Sequence, residues 1–131
     1  MIISYMPPTY NGSLRTKVFG TIQRFIEPCI LLLLSKGSSH GYGLLEGLER
    51  HCGEKVDIGN LYRTLRRMES DGWVKSQWDE NKTGREKRVY IITKQGRKFL
   101  EEATASLVQT NKLIHRFLVG YQKTFQKGAS L

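Results

Sequence analysis

A chain of 131 residues holds one modest hydrophobic core and is short for two domains. Its 39% hydrophobic and 25% charged residues are ordinary for a globular protein, and its longest apolar run, Cys29–Leu34, is six residues, well short of a membrane span. The net charge of +9 is concentrated in residues 57–98, where eleven bases face six acids; this suits a polyanionic partner without separating DNA from RNA or anionic lipid. The opening Met1-Ile-Ile-Ser-Tyr-Met-Pro-Pro has no basic stretch before its apolar residues and no cleavage-like site, so no signal peptide is expected and the expected compartment is the cytoplasm.

Residues 1–20, with Pro7, Pro8, Asn11, Gly12 and Gly20, read as a flexible N-terminal arm. Arg15, Lys17 and Arg24 could touch phosphates, or the arm could be a mobile tail without a role. A first helix is expected from about Gln23 to Lys36, with Pro28 in its first turn, where proline is tolerated. Its apolar run makes it the central core helix. Gly37-Ser-Ser39 then turns the chain, and Ser38 or Ser39 is placed to cap a second helix through Arg50 whose buried face would hold Tyr42, Leu44, Leu45 and Leu48. Gly41-Tyr-Gly43 is no dinucleotide-binding turn, because Glu46 stands where that fingerprint requires glycine.

The third helix, Asp57–Gly72, has both ends marked, by a good N-cap and a good C-terminal stop. Leu61, Leu65 and Met68 form one apolar stripe. Tyr62, Arg63, Arg66 and Arg67 fall off it, so the packed helix would turn a tyrosine and three arginines outward. That is the pattern of a recognition helix for the DNA major groove; alone it would also describe a solvated basic face. The segment beyond Gly72 favours the first. Trp73–Trp78 and Arg88–Thr93 are rich in strand formers and flank a polar, basic segment containing Gly84, which predicts a hairpin with a charged tip. Helix and hairpin are consecutive and can reach one nucleic-acid surface together.

Thr93 is expected to cap a last helix running from about Lys94 toward Phe125. Leu100, Ala103, Leu107, Thr110, Ile114, Phe117 and Tyr121 recur at alternating spacings of three and four, a heptad seam. A small tri-helical core cannot cover so long a seam, so a second copy of the chain is the expected partner, with intrachain packing as the alternative. The two cysteines and three histidines are too few and too scattered for zinc spacing, and a Cys29–Cys52 disulfide is not expected in the cytoplasm. With no nucleophile–base motif and no phosphate-binding glycine loop, the chain reads as a non-enzyme without metal or cofactor.

His40-Gly41-Tyr42, Leu61-Tyr-Arg-Thr-Leu-Arg-Arg-Met-Glu69, Gly72, and Arg88-Val-Tyr-Ile-Ile-Thr93 with Gly96 together resemble the PadR-like transcriptional regulators, over roughly residues 24–120. Arg24–Cys29 and the tail also resemble that family's polyhydroxybutyrate-responsive group, and the single long last helix its short-tailed branch. The resemblance implies a mainly α fold with a small β-hairpin, namely a winged helix-turn-helix domain plus a long C-terminal dimerisation helix. It also implies homodimers that bind operator DNA, usually as repressors, some of them released by a small molecule. Ile58 and Asn60 depart from the family's frequent proline and threonine, so operator sequence does not carry over.

The resulting expectations are an arm over 1–20, a DNA-binding domain over 21–93, a dimerisation helix over 94–126 and a tail over 127–131. Asn60, Tyr62 and Arg63 should meet base edges or adjacent phosphates; Arg66 and Arg67 should neutralise phosphates; Lys82, Arg85, Lys87 and Arg88 should anchor the wing; His40 and Tyr42 should touch the backbone. Leu100, Ala103, Leu107, Ile114, Phe117 and Tyr121 should form the dimer seam, and Trp78, Phe99, Phe117 and Tyr121 could line an effector pocket or be plain core or seam. The partners are then palindromic double-stranded DNA, a second copy and a small-molecule effector. The alternative is a winged-helix protein-interaction module or a non-specific DNA-binding protein.

Overall fold

The computed structural model describes residues 24–81 and 88–125; the N-terminal arm, wing residues Lys82, Arg85 and Lys87, and the tail from 126 lie outside them. In chain order the elements are α1 (Ile26–Leu34), β1 (Ser39–His40), α2 (Gly41–Cys52), α3 (Ile58–Ser70), β2 (Val74–Trp78), β3 (Arg88–Ile92) and α4 (Lys94–Phe125). The described chain divides into two compact units, Arg24–Glu102 and a second that holds Ala103–Phe125.

The first unit packs α1, α2 and α3 around one core. Ile30 and Leu31 from α1, Leu44 and Leu48 from α2, and Leu61, Leu65 and Met68 from α3 are essentially sealed from solvent. Each such side chain stabilises the fold by about 1.5–3 kcal/mol relative to remaining exposed. The stripe expected on α3 is thus the buried stripe. On α2 the expectation holds for Leu44 and Leu48, whereas Tyr42 is 46% exposed and points away from the core.

Caps set two of the boundaries. Asp57 Oδ1 accepts the backbone N–H of Asn60 at 2.8 Å, closing the first turn of α3. Thr93 Oγ1 accepts from the Gly96 N–H at 2.9 Å and donates to the Gly72 carbonyl at 2.5 Å, so one hydroxyl caps α4 and ties it to the end of α3. Gly72 sits at φ +82°, a left-handed turn that other residues rarely adopt, and it swings the chain from α3 into β2. A methyl group at Gly96 would collide with the Trp73 carbonyl, which explains a glycine inside the first turn of α4.

Ser39 does not cap α2. It belongs to β1, its hydroxyl donates to the His40 carbonyl at 3.0 Å, and His40 occupies the N-cap position without a side-chain bond. The sheet is three-stranded and antiparallel in the order β1-β3-β2. Pairing of Ser39 with Tyr90 and of His40 with Val89 takes Ser39 from the expected turn and His40 from the expected start of the second helix. In the hairpin Val74 pairs with Ile92, Ser76 with Tyr90 and Trp78 with Arg88. Because side chains alternate, these six share one face. Its base, with Val74, Tyr90 and Ile92, is buried in the core, and toward the tip the same face opens to solvent at Trp78.

In the second unit Ala103, Ala105, Ser106 and Thr110 are buried. Leu113, Ile114, Phe117, Leu118, Tyr121 and Phe125 are exposed, Phe117 at 68%. The expected seam is therefore of two kinds: Leu100 packs against the core of the first unit, Ala103 and Thr110 are buried, and Ile114, Phe117 and Tyr121 face solvent.

Candidate nucleic-acid interface

Burying Leu61, Leu65 and Met68 forces the opposite side of α3 outward, and Asn60, Arg63 and Arg66 are exposed there. The front of the helix is held by a short polar chain. Asn60 Nδ2 donates to Asp57 Oδ2 at 2.6 Å, and Arg63 Nη2 donates to Asn60 Oδ1. Asn60 and Arg63 are thus oriented together from the cap before any partner arrives. Tyr62 is half-buried, its phenol laid against Gly41, where a methyl group would collide with it. Burial pushes the Tyr90 phenol above its usual range, with Tyr62 adding to the shift and Arg88 opposing it.

Arg67 has a different environment from its neighbours. Its Nη2 donates to Glu27 Oε2 of α1 at 2.5 Å, and the Glu27 side chain is only 2% exposed. The guanidinium expected to neutralise phosphate therefore already carries a buried carboxylate. The sequence reading missed Glu27, an acid beside the apolar run, because its partner is forty residues away.

His40 Nε2 lies 3.0 Å from Asp79 Oδ2, both side chains about a quarter exposed, so the start of α2 is fastened to the residue that follows β2. Tyr42, just inside the first turn of α2, is exposed. Arg88 is half-buried at the start of β3, with its guanidinium 4.4 Å from the centre of the Trp78 ring.

A groove of about 790 Å³ runs between α3 and the hairpin. Tyr62, Arg63 and Arg66 form its helix side and Trp78, Arg88 and Tyr90 its sheet side, with Glu69 between them. Helix and wing arginines thus share one concave surface. Trp78, expected among effector-pocket aromatics, is 60% exposed at this groove. Phe99 instead stacks on Trp73 at 3.8 Å between ring centres, and Phe117 and Tyr121 belong to the second unit.

Among the described residues no cluster of three or more His, Cys, Asp or Glu could hold a metal, and no helix is long and apolar enough to cross a membrane. Cys29 and Cys52 come together across α1 and α2; burial, aided by the hydrogen bond with the Cys52 thiol, pushes the Cys29 thiol up to about 12.

Three packed helices, the third bearing an arginine face that a following hairpin continues, define a winged helix-turn-helix domain. The chain belongs to the Transcriptional regulator PadR-like family, which matches residues 30–102. It is 38% identical over 89 residues to the transcriptional regulator Rv3488 of Mycobacterium tuberculosis, covering 68% of this chain and 78% of that one. A putative transcriptional regulator of Thermoplasma acidophilum, TA0346, is similar in structure with a TM-score of 0.65 and 32% identity, over 75% of this chain and 94% of the other. PadR of Bacillus subtilis, solved in complex with operator DNA, is similar with a TM-score of 0.54 and 25% identity, over 60% of this chain and 46% of that one.

Proposed function

We infer that this regulator binds operator DNA in a sequence-specific manner and acts as a homodimeric repressor. The observation that carries the reading is the shared groove, where the exposed arginines of α3 stand opposite Arg88 of the wing. An α-helix fits the major groove, and arginine there can bridge both acceptors of a guanine edge. Asn60 and Arg63, pre-oriented from Asp57, are assigned to base edges; Arg66 and Arg88, with Lys82, Arg85 and Lys87 of the wing, to phosphates. Tyr62 and Tyr42 contribute beside them, and His40 acts by fastening the wing through Asp79, where the chain leaves β2. The likeness to a relative solved in complex with operator DNA supports DNA as the partner of this chain.

Dimerisation is assigned to the second unit. Six large apolar side chains are exposed between Leu113 and Phe125, and a second copy presents the same stripe, so one two-fold contact covers both. Half-buried Leu107 continues that stripe toward the start of α4, whereas Leu100 and Ala103 are already covered within the chain. Two recognition helices then address two half-sites of a palindrome. Repression follows if the operator overlaps a promoter. Relief by a small molecule belongs to the same reading, with Phe117 and Tyr121, at the dimer contact, as its stacking surface. In this reading the site of action is the cytoplasm.

Selection of random duplexes on the purified protein at near-physiological salt tests this reading. A palindromic winner bound by two chains is expected. Retention of duplexes without enrichment would favour a non-specific DNA-binding protein, and no retention would favour a basic face that meets an acidic protein.

A further inference from the structure

Glu69 is an anomaly in the groove. A carboxylate beside Arg63, Arg66 and Arg88 repels the phosphates those arginines attract. Its hydrogen bonds explain its presence. Glu69 Oε2 accepts from the Ser76 backbone N–H at 3.1 Å and from the Ser76 hydroxyl at 2.8 Å. The same hydroxyl oxygen accepts from Arg88 Nη1 at 2.5 Å, and the Arg88 guanidinium lies over the Trp78 ring, 4.4 Å from its centre. Glu69 sits in the last turns of α3, Ser76 in the middle of β2, and Arg88 opposite Trp78 across the hairpin. One unbroken chain of contacts therefore crosses from the recognition helix to the open end of the wing.

Each link has a chemical reason. Ser76 donates its one hydroxyl proton to the carboxylate, which orients its lone pairs toward Arg88. Bonds to a charged group are shorter and stronger than neutral ones, so the carboxylate fixes Ser76 firmly. A guanidinium has five N–H donors, and the bond through Nη1 uses one of them. The cation over the indole sets the plane of Trp78, which is otherwise 60% exposed, at a wing edge where a large apolar ring gains nothing from water.

We propose that the groove between α3 and the wing seats one sugar–phosphate strand of the duplex, with Trp78 against deoxyribose and Arg88 on phosphate, and that Glu69 is a positioning residue holding both through Ser76. The proposal rests on the DNA-binding reading and gives it a path for the strand. The ligand chemistry is that of a polyanionic backbone with an apolar sugar edge, which an arginine beside an indole matches. Sequence plays no part in these contacts, because sugar and phosphate are the same at every step.

The sign of one substitution separates this from a bland surface acid. On charge alone, Glu69→Ala removes a repulsive group and should tighten binding. The relay predicts the opposite: about tenfold weaker binding, the size of one charge-assisted contact, on the selected duplex and a scrambled one alike. Glu69→Gln retains an acceptor for Ser76 and should stay within about threefold of the parent. Ser76→Ala breaks the relay without touching the carboxylate and should weaken binding like Glu69→Ala, which keeps the test valid if that variant melts early.

Affinity is read by anisotropy of a labelled duplex on the full chain. In parallel, Trp78 emission is taken as the difference between the parent and Trp78→Phe. Emission should change when duplex is added, and the change should shrink in Glu69→Ala. Unchanged or tighter binding by Glu69→Ala, or a silent Trp78 while anisotropy reports binding, overturns the proposal and leaves the DNA reading standing. No binding by the parent to any duplex overturns both.

Discussion

The Glu27–Arg67 pair supports an asymmetric prediction. The Arg67 side chain is 43% exposed and that of Glu27 is 2% exposed, with 2.5 Å between Nη2 and Oε2. Removing the acid by Glu27→Gln leaves a cation that can rotate into water, so the cost is that of one charged hydrogen bond, about 1.5–3 kcal/mol. Removing the base by Arg67→Met leaves a carboxylate with nowhere to go, and breaking a buried pair in that way costs about 3–5 kcal/mol. Urea unfolding of both variants, followed by far-UV circular dichroism, measures the difference. On heating, Arg67→Met should melt about 10 °C or more below the parent for a chain of this size. Equal losses for the two variants, or a loss below about 1 kcal/mol for Arg67→Met, would refute the view that this arginine holds α3 onto α1. Arg66→Ala is the contrast, since it should weaken DNA binding and leave the unfolding midpoint unchanged.

Four further outcomes are expected. Arg63→Ala should cost about 1–3 kcal/mol on the selected duplex and much less on a scrambled one, measured by competition, because Arg63 is assigned to a base edge. Lys82→Ala should weaken all duplexes alike and lower the slope of affinity against salt by about one; unequal losses would move Lys82 to a base. In native protein a thiol reagent near pH 8 should modify half-buried Cys52 before Cys29, whose thiol is pushed up to about 12 from 9.0. With the folded value raised, this group's contribution is complete below pH 9 and is lost as pH rises toward about 12, so Cys29→Ala should flatten the stability curve in that window.

What the sequence made legible was local. The Asp57 and Thr93 caps, the Leu61–Leu65–Met68 stripe and the turn at Gly72 all lie within a few residues of the groups they organise, and each stands as expected. Motif order then placed the hairpin after α3 and the long helix after the hairpin. Contacts across the chain were not legible. Local sequence offers Ser38 or Ser39 as a cap because β1 forms only through pairing with β3, about fifty residues away. Tyr42, two residues before Leu44, stands about 200° round α2 from it, off the buried Leu44–Leu48 stripe, and so faces outward. Arg67 looked like Arg63 and Arg66 because nothing near it in sequence reveals Glu27. Trp78 was grouped with other aromatics by residue type, whereas its pairing with Arg88 puts it at the helix–wing groove.

The central claim is that α3 and the wing together recognise one DNA sequence. The most direct measurement is the affinity for the selected palindrome against a scrambled duplex of equal length, each at about 50 and 200 mM salt. The account predicts preference for the palindrome by at least about a thousandfold at the higher salt, with both affinities falling steeply as salt rises. Equal affinity for the two duplexes at both concentrations would contradict it.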